Sequence, residues 1–402
     1  MTCDILLALG LLLSVATQLR PAGSPIGPGE VCLSIWLLLT LGRETLRFGA
    51  PLTPALSRLL TFWALFAVAQ SLGLLNGLAI GDTRDWQWFL HDVMAYPLLA
   101  AVSCLSVVEP GAKRRLHRIA WFLITFGSAS LSLQLVGAWG VINTPPIDPW
   151  YWDRLRGWSA NPNVLAILCT ALALLSLHLA ETATRVSERI AALTCTALPV
   201  YAGFLTKSDT FSLVLVNAGA IFITLKLREW LLSSARTLSF RAACAWMTIL
   251  ALPAIFICAV VLGSFITVQS TAIFKQVSRE NGARTEREAE IRLELWKQAI
   301  NRAMGSGLLG LGPGPHLDIP PSIGVARLTE PNLPNNIVHP ELSAAPNYEA
   351  HNTLLDLLTQ GGIIGVLGFL WLTGKGVVML TKQGWPHWRH CSVASSSSGC
   401  SI

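Results

Sequence analysis

Ten runs of apolar residues, most near the length of a bilayer crossing, constrain this chain more than any other feature. They lie at about 4–19, 27–41, 59–80, 88–108, 116–142, 163–180, 190–206, 210–226, 245–269 and 354–380. A membrane-spanning helix needs roughly 20 apolar residues to match the hydrocarbon thickness. Charged residues make up only 13% of the chain, against about 25% in a soluble domain. That is too little charge to coat a water-facing surface. The expected fold is an all-α, polytopic membrane helix bundle of about ten transmembrane helices with one large extracytoplasmic loop. The second run is short and contains Glu30. The first carries Asp4, lacks a basic leader and reads as an uncleaved span, although Ser14-Val15-Ala16 has small residues at cleavage spacing.

Orientation follows from Lys and Arg, which favour cytoplasmic loops. With the N-terminus in the cytoplasm, the short inner loops hold 13 basic residues, including Arg43, Lys113, Arg114, Arg115, Arg185 and Arg228. The short outer loops hold five: Arg20, Arg84, Arg154, Arg156 and Lys207. The net charge of +6 is therefore a topology signal, and it does not argue for nucleic acid as a partner. Trp86, Trp88, Trp150, Trp152 and Trp158 cluster at the predicted outer interface, as an aromatic belt does.

This topology divides the chain into residues 1–269, spans one to nine; 270–353, a large outer loop that carries the candidate chemistry; 354–385, the last span; and 386–402, a serine-rich, unstructured tail. No repeat of about 20–50 residues is evident. The nine cysteines are scattered, without zinc or CxxC spacing, and read as small packing residues.

Four places could carry chemistry. Between Arg284 and Ala303, Ile291, Leu295, Trp296, Ala299, Ile300 and Ala303 share one helical face, with Glu286, Glu290, Glu294 and Lys297 opposite. Arg292 falls on the apolar face, where a guanidinium needs an anionic partner. The alternatives are an Arg snorkelling at the membrane surface or paired with a nearby Glu. Gly305 to Gly310 is formally GxGxxG, but it follows a helix and no βαβ unit surrounds it. It reads as a flexible turn after a helix. His351 opens the last apolar stretch and suits a general base, or simply an interfacial cap. His316 and His339 share its loop at separations that fit no metal motif. Finally, Arg154 and Arg156 stand among tryptophans, an arrangement that can hold a phosphate and stack a sugar, or belong to the interfacial belt.

Taken together, four motifs occur in a telling order: Arg156-Gly157 followed by Asn161-Pro162-Asn163; Arg292 with Trp296; Leu308 to Gly314; and His351-Asn352 followed by Gly361 to Gly365. In this order and spacing the chain resembles the O-antigen ligase and polymerase superfamily over roughly residues 60–380. The resemblance implies a multi-pass protein of the bacterial inner membrane with its catalytic loop in the periplasm. It implies metal-independent, inverting glycosyl transfer without a cofactor. The donor is a glycan on undecaprenyl pyrophosphate, and the acceptor is lipid A core or another glycan chain. It assigns catalysis to His351 and Arg292, and substrate binding to Arg156, Lys207, Arg287 and Asn352. One departure stands at Thr206 to Thr210, where Asp209 occupies the place of a second pyrophosphate-binding Arg; Lys207 keeps the charge but lacks the guanidinium fork.

Three alternatives differ in kind. A repeat-unit polymerase shares the fold and donor but not the acceptor. A transporter would show internal symmetry and charges at mid-membrane, and neither is evident. An inactive or truncated homologue is consistent with Asp209 and the unusual tail.

Overall fold

A computed structural model of the chain describes residues 2–21, 24, 26–45, 52–108, 111–142, 147–151, 153–208, 211–212, 214–221, 279–318, 348–350 and 352–382. These residues form a helical membrane bundle, as expected. The helices are α1 (Thr2–Ser14), α2 (Pro28–Thr45), α3 (Pro54–Ala79), α4 (Trp86–Ser106), α5 (Ala112–Ala138), α6 (Pro162–Thr182), α7 (Val186–Leu205), α8 (Arg279–Gly305) and α9 (Thr353–Lys382). A two-stranded hairpin, β1 (Trp150–Tyr151) and β2 (Arg154–Leu155), lies between α5 and α6. Among the described residues five helices are long and apolar enough to cross a membrane: α3, α4, α5, α6 and the Thr353–Gly376 part of α9. The spans expected at 210–226 and 245–269 lie partly and wholly outside the described residues, as does the tail.

The first expected span, 4–19, is helical only over the 13 residues of α1, about 20 Å at ~1.5 Å per residue. The chain then tightens into a short 3₁₀ turn at Thr17–Leu19. Gln18 explains the early end. Its backbone amide donates to Trp158 O at 2.9 Å. Its side-chain amide donates to the carbonyls of Asp148, Gly157 and Ser159 at 2.8–3.0 Å.

The chain divides into two compact units: Met1–Ser57 with Trp86–Ala289, and Arg58–Asp85 with Glu290–Ile402. In the first unit α1 packs on α2 and α5, and α6 and α7 form an antiparallel pair. Asn161 starts α6 by accepting the Asn163 amide at 2.9 Å, with Pro162 in the first turn. Leu131, Leu135, Leu155, Leu165, Leu172 and Phe211 fill one core, which ties the hairpin to α5 and α6. Arg115 closes the end of α4 by donating to the carbonyls of Leu105, Ser106 and Val108 at 2.9–3.0 Å.

The second unit contains most of α3, the C-terminal part of α8, the glycine-rich turn after it, and α9. The α8 face that is buried is narrow: Leu295, Ala299 and Ala303, spaced one turn apart, are fully enclosed. Trp296 and Ile300 of the same predicted face remain 38% and 48% exposed.

Candidate active site

Every residue from Gly310 to Leu317 is buried, although the segment has almost no regular structure. Such a segment must satisfy its backbone polar groups by other means. It does so through a break in α9. Gly362 interrupts that helix with φ 61° and ψ −160°, a conformation essentially reserved for glycine. The break lets α9 pair with the turn: Leu311 N donates to Thr359 O at 2.8 Å and Gly312 N to Gln360 O at 2.9 Å. In return Ile363 N donates to Leu308 O at 2.9 Å. A Cβ at Gly310 would collide with Gln360 O. Asn76 of α3 donates to Ser306 O and Gly310 O, both at 2.9 Å. The GxGxxG segment, expected as a flexible turn, is docked: its carbonyls at Ser306 and Gly310 accept from Asn76 of α3 and that at Leu308 from Ile363 of α9, while its amides bond back to α8 and the turn itself.

The turn delivers His316 to the loop after α3. His316 Nδ1 lies 3.0 Å from Asp82 Oδ2, and Nε2 lies 2.8 Å from Gly312 O. Arg302, near the end of α8, donates to the other Asp82 oxygen at 3.2 Å and reaches Asp318 at 3.6 Å. This cluster was not legible as a site in the sequence. Asp82 lies in a short loop, and nothing in spacing ties it to His316.

The segment on either side of His351 is held in several ways. Leu317 and Tyr348 exchange backbone hydrogen bonds of 3.1 and 3.0 Å. Ala350 is completely buried. Its carbonyl accepts from the Trp296 indole at 3.1 Å, and its amide donates to Asp356 Oδ1 at 2.8 Å. Asn352 caps α9: its Oδ1 accepts from the amides of Leu354 and Leu355 at 3.1 and 3.4 Å. His351 itself lies outside the described residues. Arg292 lies one helical turn before Trp296, on the same side of α8. It is half-buried and makes no hydrogen bond or ion pair among the described residues. Arg287 lies in the same helix, and its side chain is outside the described set.

The first unit holds Arg156 and Lys207. Arg156 is buried and donates to Asp148, to its carbonyl at 3.0 Å and its carboxylate at 2.9 Å, while its guanidinium also faces the Tyr151 ring. Lys207, in left-handed backbone geometry at φ 47°, pairs with Asp153 at 2.6 Å. Both partners of that second pair are about half exposed. Arg154 donates to Thr206 O at 2.9 Å and to Asn163 Oδ1 at 2.8 Å, fastening the hairpin to the starts and ends of α6 and α7. Asp209 lies outside the described residues.

The long apolar helices define a helical membrane protein. Residues 194–370 match the family model described as O-antigen ligase. That stretch carries the family's domain, and it supports placing the chain in the O-antigen ligase superfamily, as an O-antigen ligase or polymerase type of membrane enzyme. No curated protein and no solved structure matches the chain.

Proposed function

We propose that the protein transfers a glycan from undecaprenyl pyrophosphate to a sugar hydroxyl of lipid A core, at the periplasmic face of the bacterial inner membrane. The observation that carries this reading is Arg292: a half-buried guanidinium with no described partner, one turn from the residue that grips the His351 segment. A guanidinium left without a carboxylate is ready for phosphate, which it binds through two parallel N–H···O contacts.

In the proposed step the acceptor oxygen attacks the anomeric carbon. The bond from that carbon to the pyrophosphate oxygen breaks, and undecaprenyl pyrophosphate leaves with the electron pair. Configuration inverts. His351 takes the acceptor proton, and Arg292 stabilises the charge that builds on the pyrophosphate. The reaction needs no metal or cofactor in this scheme, because the donor arrives already activated.

Substrate-binding roles are proposed for Arg156, Lys207, Arg287 and Asn352 on the resemblance alone. Lys207 is the readier of the two hairpin cations, since an exposed pair such as Lys207 with Asp153 is weak and exchanges a carboxylate for a phosphate at little cost. Arg156 is committed to its hairpin. Asn352 has its oxygen engaged in the cap, which leaves its amide nitrogen for a ligand.

The test is Arg292→Lys in the full-length protein, assayed with a polysaccharide on undecaprenyl pyrophosphate and lipid A core as acceptor. Charge is kept and the fork is lost, so transfer should fall by about 10-fold or more, the equivalent of one charge-assisted hydrogen bond of ~1.5–3 kcal/mol. Parent-like transfer by this variant would return Arg292 to a membrane-surface anchor.

A further inference from the structure

Two neighbouring contacts join the β1–β2 hairpin to the chain leaving α7, and they differ in kind. Arg154 donates to Thr206 O at 2.9 Å and to Asn163 Oδ1 at 2.8 Å. Thr206 is completely enclosed, and its hydroxyl is spent on Gly203 O at 2.6 Å. This contact fastens the two segments. On the adjacent residue of each segment, Lys207 Nζ donates to Asp153 Oδ2 at 2.6 Å, with both side chains about half exposed. Because Arg154 and Thr206 already fix their neighbours, the ammonium and the carboxylate are brought face to face without having to hold anything together. An exposed pair of this sort adds little to a fold.

Lys207 also stands where a lysine is strained. It follows the end of α7 with φ 47°, in the left-handed region that glycine or asparagine usually fills after a helix. Its side chain is exposed, so packing does not offset that strain. Ser208, next in the chain, is 4% exposed, and its hydroxyl has no hydrogen-bond partner among the described residues. An ammonium followed by an unspent hydroxyl offers donors to an anion with several oxygens, and Asp153 engages only the first of them.

We propose that Asp153 is a built-in competitor for the anionic end of the lipid-linked substrate. Its carboxylate stands in for phosphate oxygens at Lys207, yields when the donor pyrophosphate binds, and takes the lysine back as undecaprenyl pyrophosphate leaves. This deepens the glycosyl transfer reading above and rests on it. The pyrophosphate displaces the carboxylate because it brings more negative charge and more acceptor oxygens. The carboxylate returns because the hairpin keeps it within reach of the lysine, at a high effective concentration. Asp153 therefore loosens the binding of donor and product alike and speeds product release.

The experiment measures the Kd of undecaprenyl pyrophosphate for the full-length protein in nanodiscs, with undecaprenol as the uncharged control. Asp153→Asn keeps the size of the side chain and removes its charge. It should tighten undecaprenyl pyrophosphate binding about 2–5-fold, the worth of one exposed pair, and leave undecaprenol binding at the parent value. Lys207→Ala should weaken undecaprenyl pyrophosphate binding, and in that background Asp153→Asn should change nothing further, since no lysine is left to release. Equal tightening in both backgrounds marks plain charge repulsion and overturns the competition, as does a parent Kd in Asp153→Asn. Should Lys207→Ala not fold, Lys207→Gln takes its place with the same expectation. A parent protein that binds undecaprenyl pyrophosphate but transfers no glycan from it overturns the transfer reading alone, and the Kd shifts still decide the competition. A parent protein that does not bind this lipid overturns both.

Discussion

His316 and Asp82 form an enclosed pair, with Nδ1 3.0 Å from Oδ2 and the two side chains 0% and 2% exposed. The second ring nitrogen faces the Gly312 carbonyl, so both nitrogens meet oxygen acceptors. Asp82 also receives Arg302, and one carboxylate thereby fastens the loop after α3 to the end of α8 and to the glycine turn. Removing it leaves buried donors unmet. Asp82→Ala should lower stability by roughly 3 kcal/mol, read as a drop in Tm in detergent. A change within the scatter of surface substitutions would show the cluster to be incidental.

Gly362 offers a sharper test of how the turn is held. Its backbone geometry is essentially closed to other residues, and an added Cβ would meet the Leu308 carbonyl. Gly362→Ala should destabilise the fold by about 1–3 kcal/mol from backbone strain alone. Gly374, in the same helix, has open space around its Cβ position. Gly374→Ala should be neutral or slightly stabilising by comparison, so thermal unfolding of the two variants separates strain from a general effect of altering α9.

The two hairpin cations should respond differently to truncation. Arg156→Ala removes a buried guanidinium that serves both the Asp148 carbonyl and its carboxylate, and should cost about 1–3 kcal/mol. Lys207→Ala breaks an exposed pair and should change stability by less than about 1 kcal/mol. Any large effect of Lys207→Ala on transfer, at parent Tm, then reports substrate binding.

His351→Ala should leave protein level and donor binding intact while transfer falls by about 10²–10⁴-fold, the usual worth of a general base. Transfer by the parent should also decline as pH drops below about 6.5, because an imidazolium cannot accept the acceptor proton. A flat rate through that range, with the alanine variant equally active, would leave His351 as an interfacial residue.

The sidedness expected from the basic residues is open to direct measurement. Lys113→Cys and Glu330→Cys, in a background without the native cysteines, should react with an impermeant thiol reagent from opposite sides of the membrane. Labelling of both from one side would overturn the expected orientation and, with it, the proposal of a periplasmic site.

How much of this was legible in the sequence varies by element. The spans of α3 to α6 and α9 could be read within a few residues, because burial in lipid selects for composition along a continuous stretch, and composition is local. The matched family was legible as well, since it is carried by short motifs in a fixed order. The end of α1 was not: Gln18 stops that helix by bonding to residues 148–159, far along the chain. The glycine turn was read as loose because glycines permit mobility. Only the break at Gly362, and the carbonyls of Thr359 and Gln360 that pair with the turn, show what holds it.

By itself the sequence determined that this chain enters a membrane as helices, and which residue types are available for the chemistry. Hydrophobic length and charge placement are properties of each segment, and lipid reads them one segment at a time. Tertiary structure decided which of those polar groups are already spent. Arg156 and Lys207 look equivalent to Arg292 as candidates in the sequence, yet both have an acidic partner among the described residues and Arg292 has none. Partnership between side chains distant in sequence depends on distances of a few ångströms, and these exist only once the helices have packed.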